Sequence, residues 1–135
     1  MTTTTNPTTE TGTGFLLGIR VSIDGSIQDV RIPATEGAPD FLGITKAIGC
    51  DVFDVVGLPD GIDVFVDDEG LYRAEHNPVL SEMVRHSLDA PLDYRLHGAG
   101  LFLGSNDEGD TLALTPAQRA TVAAAWFPAS PLAFL

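Results

Sequence analysis

From Phe15 to Ile32 the chain reads as one β-hairpin, and no other stretch narrows its fold as much. Phe15, Leu17, Ile19, Val21 and Ile23 recur at every second position, the period of a strand with one buried face. Asp24-Gly25 comes next, a dipeptide that accepts positive φ and closes two-residue turns. With those two residues as the loop, the return strand Ser26 to Ile32 sets Val30 opposite Ile19, Ile32 opposite Leu17 and Asp29 opposite Arg20. Two apolar pairs on one face and an ion pair on the other make this register self-consistent. Pro33 ends it. A chain that opens this way is committed to an antiparallel sheet.

Beyond Pro33 the chain adds strands and helices without βαβ alternation. Pro39 to Ile48 fits a helix, with Phe41, Ile44, Thr45 and Ile48 on one stripe and Gly49 where a left-handed cap belongs. Asp51 to Gly57 and Ile62 to Val66 read as strands joined by the turn Leu58-Pro59-Asp60-Gly61. In the second of them Ile62, Val64 and Val66 share one face, and Asp63, Phe65 and Asp67 the other. Asp68-Glu69-Gly70 turns into a short strand around Leu71 and Tyr72. Asn77-Pro78 is an N-cap followed by proline at the first helical position, and that helix, with Leu80, Met83, Val84 and Ser87 inward, stops before Pro91. A glycine-rich strand is predicted from Tyr94 to Leu103. Thr115-Pro116-Ala117-Gln118 is a capping box opening a last helix through Trp126. The expectation is an α+β fold, order ββαβββαβα, with a largely antiparallel sheet of about five strands and two to three helices.

Three segments emerge. Residues 1–14 are a Thr-rich leader with nothing to bury, read as disordered; 15–126 form a single domain; 127–135 are an apolar tail that must pack on its own sheet or on a second copy. The second choice implies a homodimer or higher oligomer. At 135 residues and 44% hydrophobic content, one real core is within reach.

Charge is the other strong constraint. Nineteen acids face seven bases, a net charge of -12, and Asp51, Asp54, Asp60, Asp63, Asp67, Asp68 and Glu69 run between Lys46 and Arg73 with no base among them. Direct binding to nucleic-acid phosphates and docking on an anionic membrane are excluded by that balance. The surface either solubilises or meets a basic partner. Cys50 is alone, so no intrachain disulfide and no cysteine metal site is expected. With no basic-apolar leader and no run of about 20 apolar residues, a soluble, cytoplasmic protein is expected.

Val55-Val56-Gly57-Leu58-Pro59-Asp60-Gly61-Ile62, then Val66-Asp67-Asp68-Glu69-Gly70-Leu71, then His76-Asn77-Pro78 resembles an uncharacterised small-domain family, domain of unknown function DUF3846. The likeness covers Ile19 to Ala125. It implies an origin in bacteriophages, plasmids or actinobacterial genomes and transfers no activity, cofactor or catalytic residue. The longer segment from Ser87 to His97 and the apolar tail depart from the family.

Motifs that would carry chemistry are sparse. The acidic turns at Asp67 and Asn106 both fail the EF-hand register and read as hairpin turns. Gly98, Gly100 and Gly104 lead into a strand, not a helix, so they read as close packing of a helix over a strand, not as a dinucleotide fingerprint. No serine sits in an elbow, and Cys50 reads as structural; no catalytic residue, metal or cofactor is expected. Tyr72, Arg73, His76, Tyr94, Arg95 and His97 gather cations and rings, which suits a small anionic or nucleotide-like ligand or simply neutralises Glu75 and Asp93. Asp51, Asp54, Asp63, Asp67, Asp68 and Glu69 form the candidate acidic interaction face. The sequence therefore points to a non-enzymatic binding protein of phage or mobile-element type, countering host defence by occupying a protein or sequestering a ligand. An acidic DNA mimic that plugs a basic cleft, and a small hydrolase built on His97, are the alternatives.

Overall fold

The computed structural model describes residues 13–70 and 74–130. In chain order these form β1 (Thr13–Val21), β2 (Ile27–Thr35), β3 (Ala38–Pro39), α1 (Phe41–Ile48), β4 (Phe53–Leu58), a 3-10 turn (Pro59–Gly61), β5 (Ile62–Asp67), α2 (Pro78–Leu88), β6 (Gly100–Ser105), β7 (Thr111–Leu112) and α3 (Pro116–Ala129). The fold is α+β, with every strand pair antiparallel and the sheet ordered β3-β2-β1-β6-β5-β4, β7 adding to β6. Strands number more than the expected five because β3 and β7 have two residues each, too few to show a period. The strand predicted around Leu71 and Tyr72 lies outside the described residues.

Both sides of the sheet are covered, and unequally. On one face Ile19, Val21, Ile62, Val64, Val66 and Phe102 pack against Val79, Leu80, Met83 and Val84 of α2 and Val122 of α3. On the other, Leu16, Ile32, Ala34, Phe65, Leu101 and Leu103 meet Ile44 and Ile48 of α1, with Cys50 buried beside them and Ala47 at the margin. Alternation in β5 assigns Ile62, Val64 and Val66 to the first face and Phe65 to the second, as the sequence predicts.

The opening hairpin is correct in kind and displaced by one residue in register. Its loop is Ile23-Asp24-Gly25, three residues, closed by Ser22 N–H to Ser26 O at 2.9 Å and Gly25 N–H to Ser22 O at 2.8 Å. Gly25 takes φ 87°, and the Asp24 carboxylate accepts from Ser26 N–H and Oγ–H, geometry that a two-residue turn lacks. Ile19 therefore faces Asp29, Leu17 faces Arg31, and Arg20 faces Gln28. The expected Arg20–Asp29 pair is replaced. Arg20 donates to Gln28 Oε1 and to Ala47 O, and Asp29 binds Arg119 of α3 at 2.7 Å.

Helix ends obey local chemistry closely. Asp40 caps α1 by accepting from Leu42 N–H and Gly49 closes it at φ 79°; Asn77 caps α2 ahead of Pro78; Thr115 and Gln118 form the complete capping box of α3. This last helix runs past Trp126 to Ala129 with Pro128 inside its final turn, so residues 127–129 belong to it and not to an extended tail. The predicted strand from Tyr94 is shorter. β6 starts at Gly100, and the preceding residues cross to α2, touching the rest of the fold through an isolated bridge between His97 and His76. At Gly100 α2 presses closely on the sheet: a Cβ there would stand 2.6 Å from both methyl carbons of Leu80, a fully buried residue. Gly100→Ala should cost about 1–3 kcal/mol, the usual penalty for overpacking, read from urea denaturation.

Candidate functional site

The site grows from the end of the sheet. β4 is the terminal strand of the sheet among the described residues, and its ladder with β5 runs on past Asp67, Asp68 N–H donating to Val52 O at 2.9 Å. Asp67 accepts from Glu69 N–H within the turn after β5, and Asp54 accepts from Val55 N–H, both at 2.9 Å. The other wall is the 93–97 segment, strapped to α2. Leu96 N–H donates to Ser81 Oγ at 2.7 Å, Asn77 N–H to Leu96 O at 2.9 Å, and Gly98 N–H to Glu75 O at 2.8 Å.

Between the two walls lies an open cleft of about 420 Å³, lined by Asp54, Asp67, Asp68 and Asp93 together with Tyr94, Arg95 and His97. Two groups predicted separately thus meet: half of the acidic set and half of the cationic-aromatic set share one concavity. Asp51 and Glu69 are exposed close by in sequence, while Asp63 is not on this side. It alternates with Ile62 and Val64 of the two-helix core and so points to the α1 face, where burial raises its carboxyl above the ordinary range against an opposing hydrogen bond with Ser105. Tyr72 and Arg73 lie outside the described residues. Asp93, a fourth carboxylate in the cleft, is visible in the sequence only as a neighbour for arginine.

Among the described residues the local electrostatics are mixed, with acid in the majority. Burial raises the Tyr94 hydroxyl, and the nearby Asp54 carboxylate raises it further. His76 stands with its ring 5.7 Å from that of His97; burial lowers its imidazole below the ordinary 6.5, and Arg95 and His97 add to the effect. The sign is then set. A depressed folded value means that His76 contributes stability above its unfolded pKa, lost as pH falls through the folded one. Acidification from about pH 7.5 to about pH 5 should lower the melting temperature, and His76→Gln should flatten that slope, since the His76–His97 bridge is made by backbone.

Elsewhere the charged groups have structural employment. A recess of about 700 Å³ is lined by Arg20 and Lys46 beside Asp24 and Glu75, and there Arg20 serves a carbonyl in the last turn of α1. The second acidic turn closes on itself, the Asn106 side chain accepting from Glu108 and Asp110 N–H at 3.0 Å each. Among the described residues no group of three or more His, Cys, Asp or Glu is placed to hold a metal, and no helix is long and apolar enough to cross a membrane.

A family model described as "Domain of unknown function (DUF3846)" matches residues 18–126. No curated protein matches. Among solved structures, the small RNA methyltransferase HEN1 is similar at a TM-score of 0.56 and 10% identity, over 93% of this chain and 18% of that one. The likeness is one of fold, and the chain spans less than a fifth of that methyltransferase.

Proposed function

The chain belongs to the DUF3846 family, and from that premise we propose that it is a non-enzymatic binding protein that occupies a basic partner through the acidic corner of its sheet. The observation that carries this reading is the sign of the cleft. Among the described residues the cleft is lined by Asp54, Asp67, Asp68 and Asp93 together with Arg95 and His97, a balance that favours a cationic group over a phosphate. The corner also sits at the end of the sheet, where a large partner can reach it.

The alternative, sequestration of a nucleotide-like ligand, draws on Tyr94, Arg95 and His97, but four carboxylates in the same concavity weigh against it. Occupation of a basic cleft is the mode by which an acidic protein displaces nucleic acid, so the DNA-mimic alternative is the form of this proposal that we favour. A phage or mobile-element setting in the bacterial cytoplasm, with a host-defence protein as the target, is the biological frame that the family resemblance suggests.

The test pairs two titrations. A labelled Lys/Arg-rich peptide should bind at about 50 mM salt and lose more than about tenfold in affinity by about 300 mM. Arg95→Ala should leave this binding intact and Asp54→Asn with Asp68→Asn should abolish it, whereas Asp107→Asn with Asp110→Asn, on the self-closed turn, should have little effect. A nucleotide panel should produce no thermal shift. A nucleotide shift lost in Arg95→Ala would overturn the reading in favour of sequestration.

A further inference from the structure

The edge of β4 has an order of its own. Asp68 N–H reaches Val52 O, so the 52–68 pair is a hydrogen-bonded one, and alternation makes Asp54, Val56 and Leu58 the residues that bond β5. Phe53, Val55 and Gly57 therefore turn their backbone groups away from the sheet. An edge of this kind invites another strand unless something guards it. Here the guard is visible: the Asp54 carboxylate covers the outward N–H of Val55 at 2.9 Å.

The two sides of that edge differ sharply. On the α1 side Val55 is 41% exposed and Phe41 58%, with Phe53 between Phe41, tilted at 5.8 Å, and Phe65, edge-on at 5.2 Å. On the α2 side stand Asp54 and the carboxylates of the cleft. A strand laid beside β4 would alternate its side chains between an apolar strip and a side that is acidic at Asp54, beside the cleft, and apolar at Val56 and Leu58. A second copy of β4 does not fit: Phe-Asp-Val-Val-Gly-Leu has no base, and would bring carboxylates to carboxylates.

We propose that the β4 edge accepts an extended segment alternating basic and apolar residues, and that the incoming base draws Asp54 off Val55 N–H, freeing it for the new ladder. This rests on the basic-partner reading and adds the mode of docking. It makes the acidic residue both lure and latch: neutral strands find the edge shut.

Fluorescence anisotropy with a labelled alternating lysine–valine octapeptide tests it, beside the same composition in block order and the alternating peptide N-methylated at every second backbone nitrogen. The alternating peptide should bind about tenfold more tightly than either control, a difference of the size expected for a few backbone hydrogen bonds. Val55→Pro removes an N–H that does not bond β5, at the cost of the Asp54 contact and part of an exposed side chain, so it should keep the fold and lose the preference. Asp54→Ala should admit an alternating threonine–valine peptide that the wild type refuses. Equal binding of all three basic peptides to the wild type would overturn strand addition while leaving the acidic surface as the recognition element. No binding by any of them would sink both readings.

Discussion

Replacing Asn77 by alanine should destabilise the protein by about 3–5 kcal/mol, one of the largest losses available to a polar substitution here. Asn77 is 0% exposed and ties distant segments together. Its Nδ2 donates to Gly98 O at 2.9 Å, Ser22 O at 3.1 Å and Val21 O at 3.3 Å, while Oδ1 accepts from Leu80 N–H at 3.1 Å as the cap of α2. Loss of the cap alone costs about 1 kcal/mol. The remainder comes from the buried Gly98 carbonyl losing its Asn77 donor and from weaker satisfaction at the end of β1, where Ser22 O keeps only its bond from Gly25 N–H. Asn77→Asp sharpens the point. It keeps the acceptor for Leu80 but aims a carboxylate at three carbonyls, and only the protonated acid can donate to one. The folded-state pKa of that aspartate should rise, so the variant's stability should be greatest at low pH and fall as pH rises, opposite to the His76 effect. Urea denaturation at about pH 5 and about pH 7.5 reads both; a loss below about 1 kcal/mol for Asn77→Ala would show that these segments hold together without it.

Asn77 also shows where a sequence stops being legible. As an N-cap before Pro78 it is read at sight, because capping is local. Its three carbonyl partners come from the end of β1 and the residue after His97, and no spacing rule reaches them. The hairpin register slips for a related reason. Leu16 and Leu17, or Ile19 and Val21 against Val30 and Ile32, supply apolar residues to both faces, and a sheet buried on both sides does not punish a one-residue slip in the way a half-solvated one would. The decision passes to the loop, where Gly25 in the left-handed region makes three residues instead of two. In the candidate site, Asp54 and Arg95 each stand out in the sequence, but their meeting depends on strand order, with β4 at the margin and the 93–97 segment folded across to α2. Long-range topology brings them together. The apolar strip of Phe41, Phe53 and Val55 is hidden from the sequence on the same grounds: helical spacing marks Phe41 as a core residue, and only the short reach of α1 leaves it at the surface.

That uneven cover makes Phe65 the residue on which the α1 side depends. Phe65 is 2% exposed, its ring edge-on to Phe53 at 5.2 Å, and it lies in the cluster that receives Ile44 and Ile48. On the opposite face two helices share the burial, so a single truncation there leaves neighbours to close the gap. Over Phe65 there is one helix of eight residues, anchored mainly by Ile44 and Ile48. Phe65→Ala should cost about 3–5 kcal/mol, transfer free energy plus the cavity left behind, and a helix this short has little intrinsic stability with which to hold on. Phe41→Ala, at a ring already 58% exposed, should cost no more than about 1 kcal/mol. Amide hydrogen exchange separates the two faces. In Phe65→Ala the amides of Ile44 to Ile48 should lose protection before those of Leu80 to Val84, because the lost contacts fall on α1 alone. Simultaneous loss across both helices would mean that the sheet transmits the defect and that its two sides open as one cooperative unit.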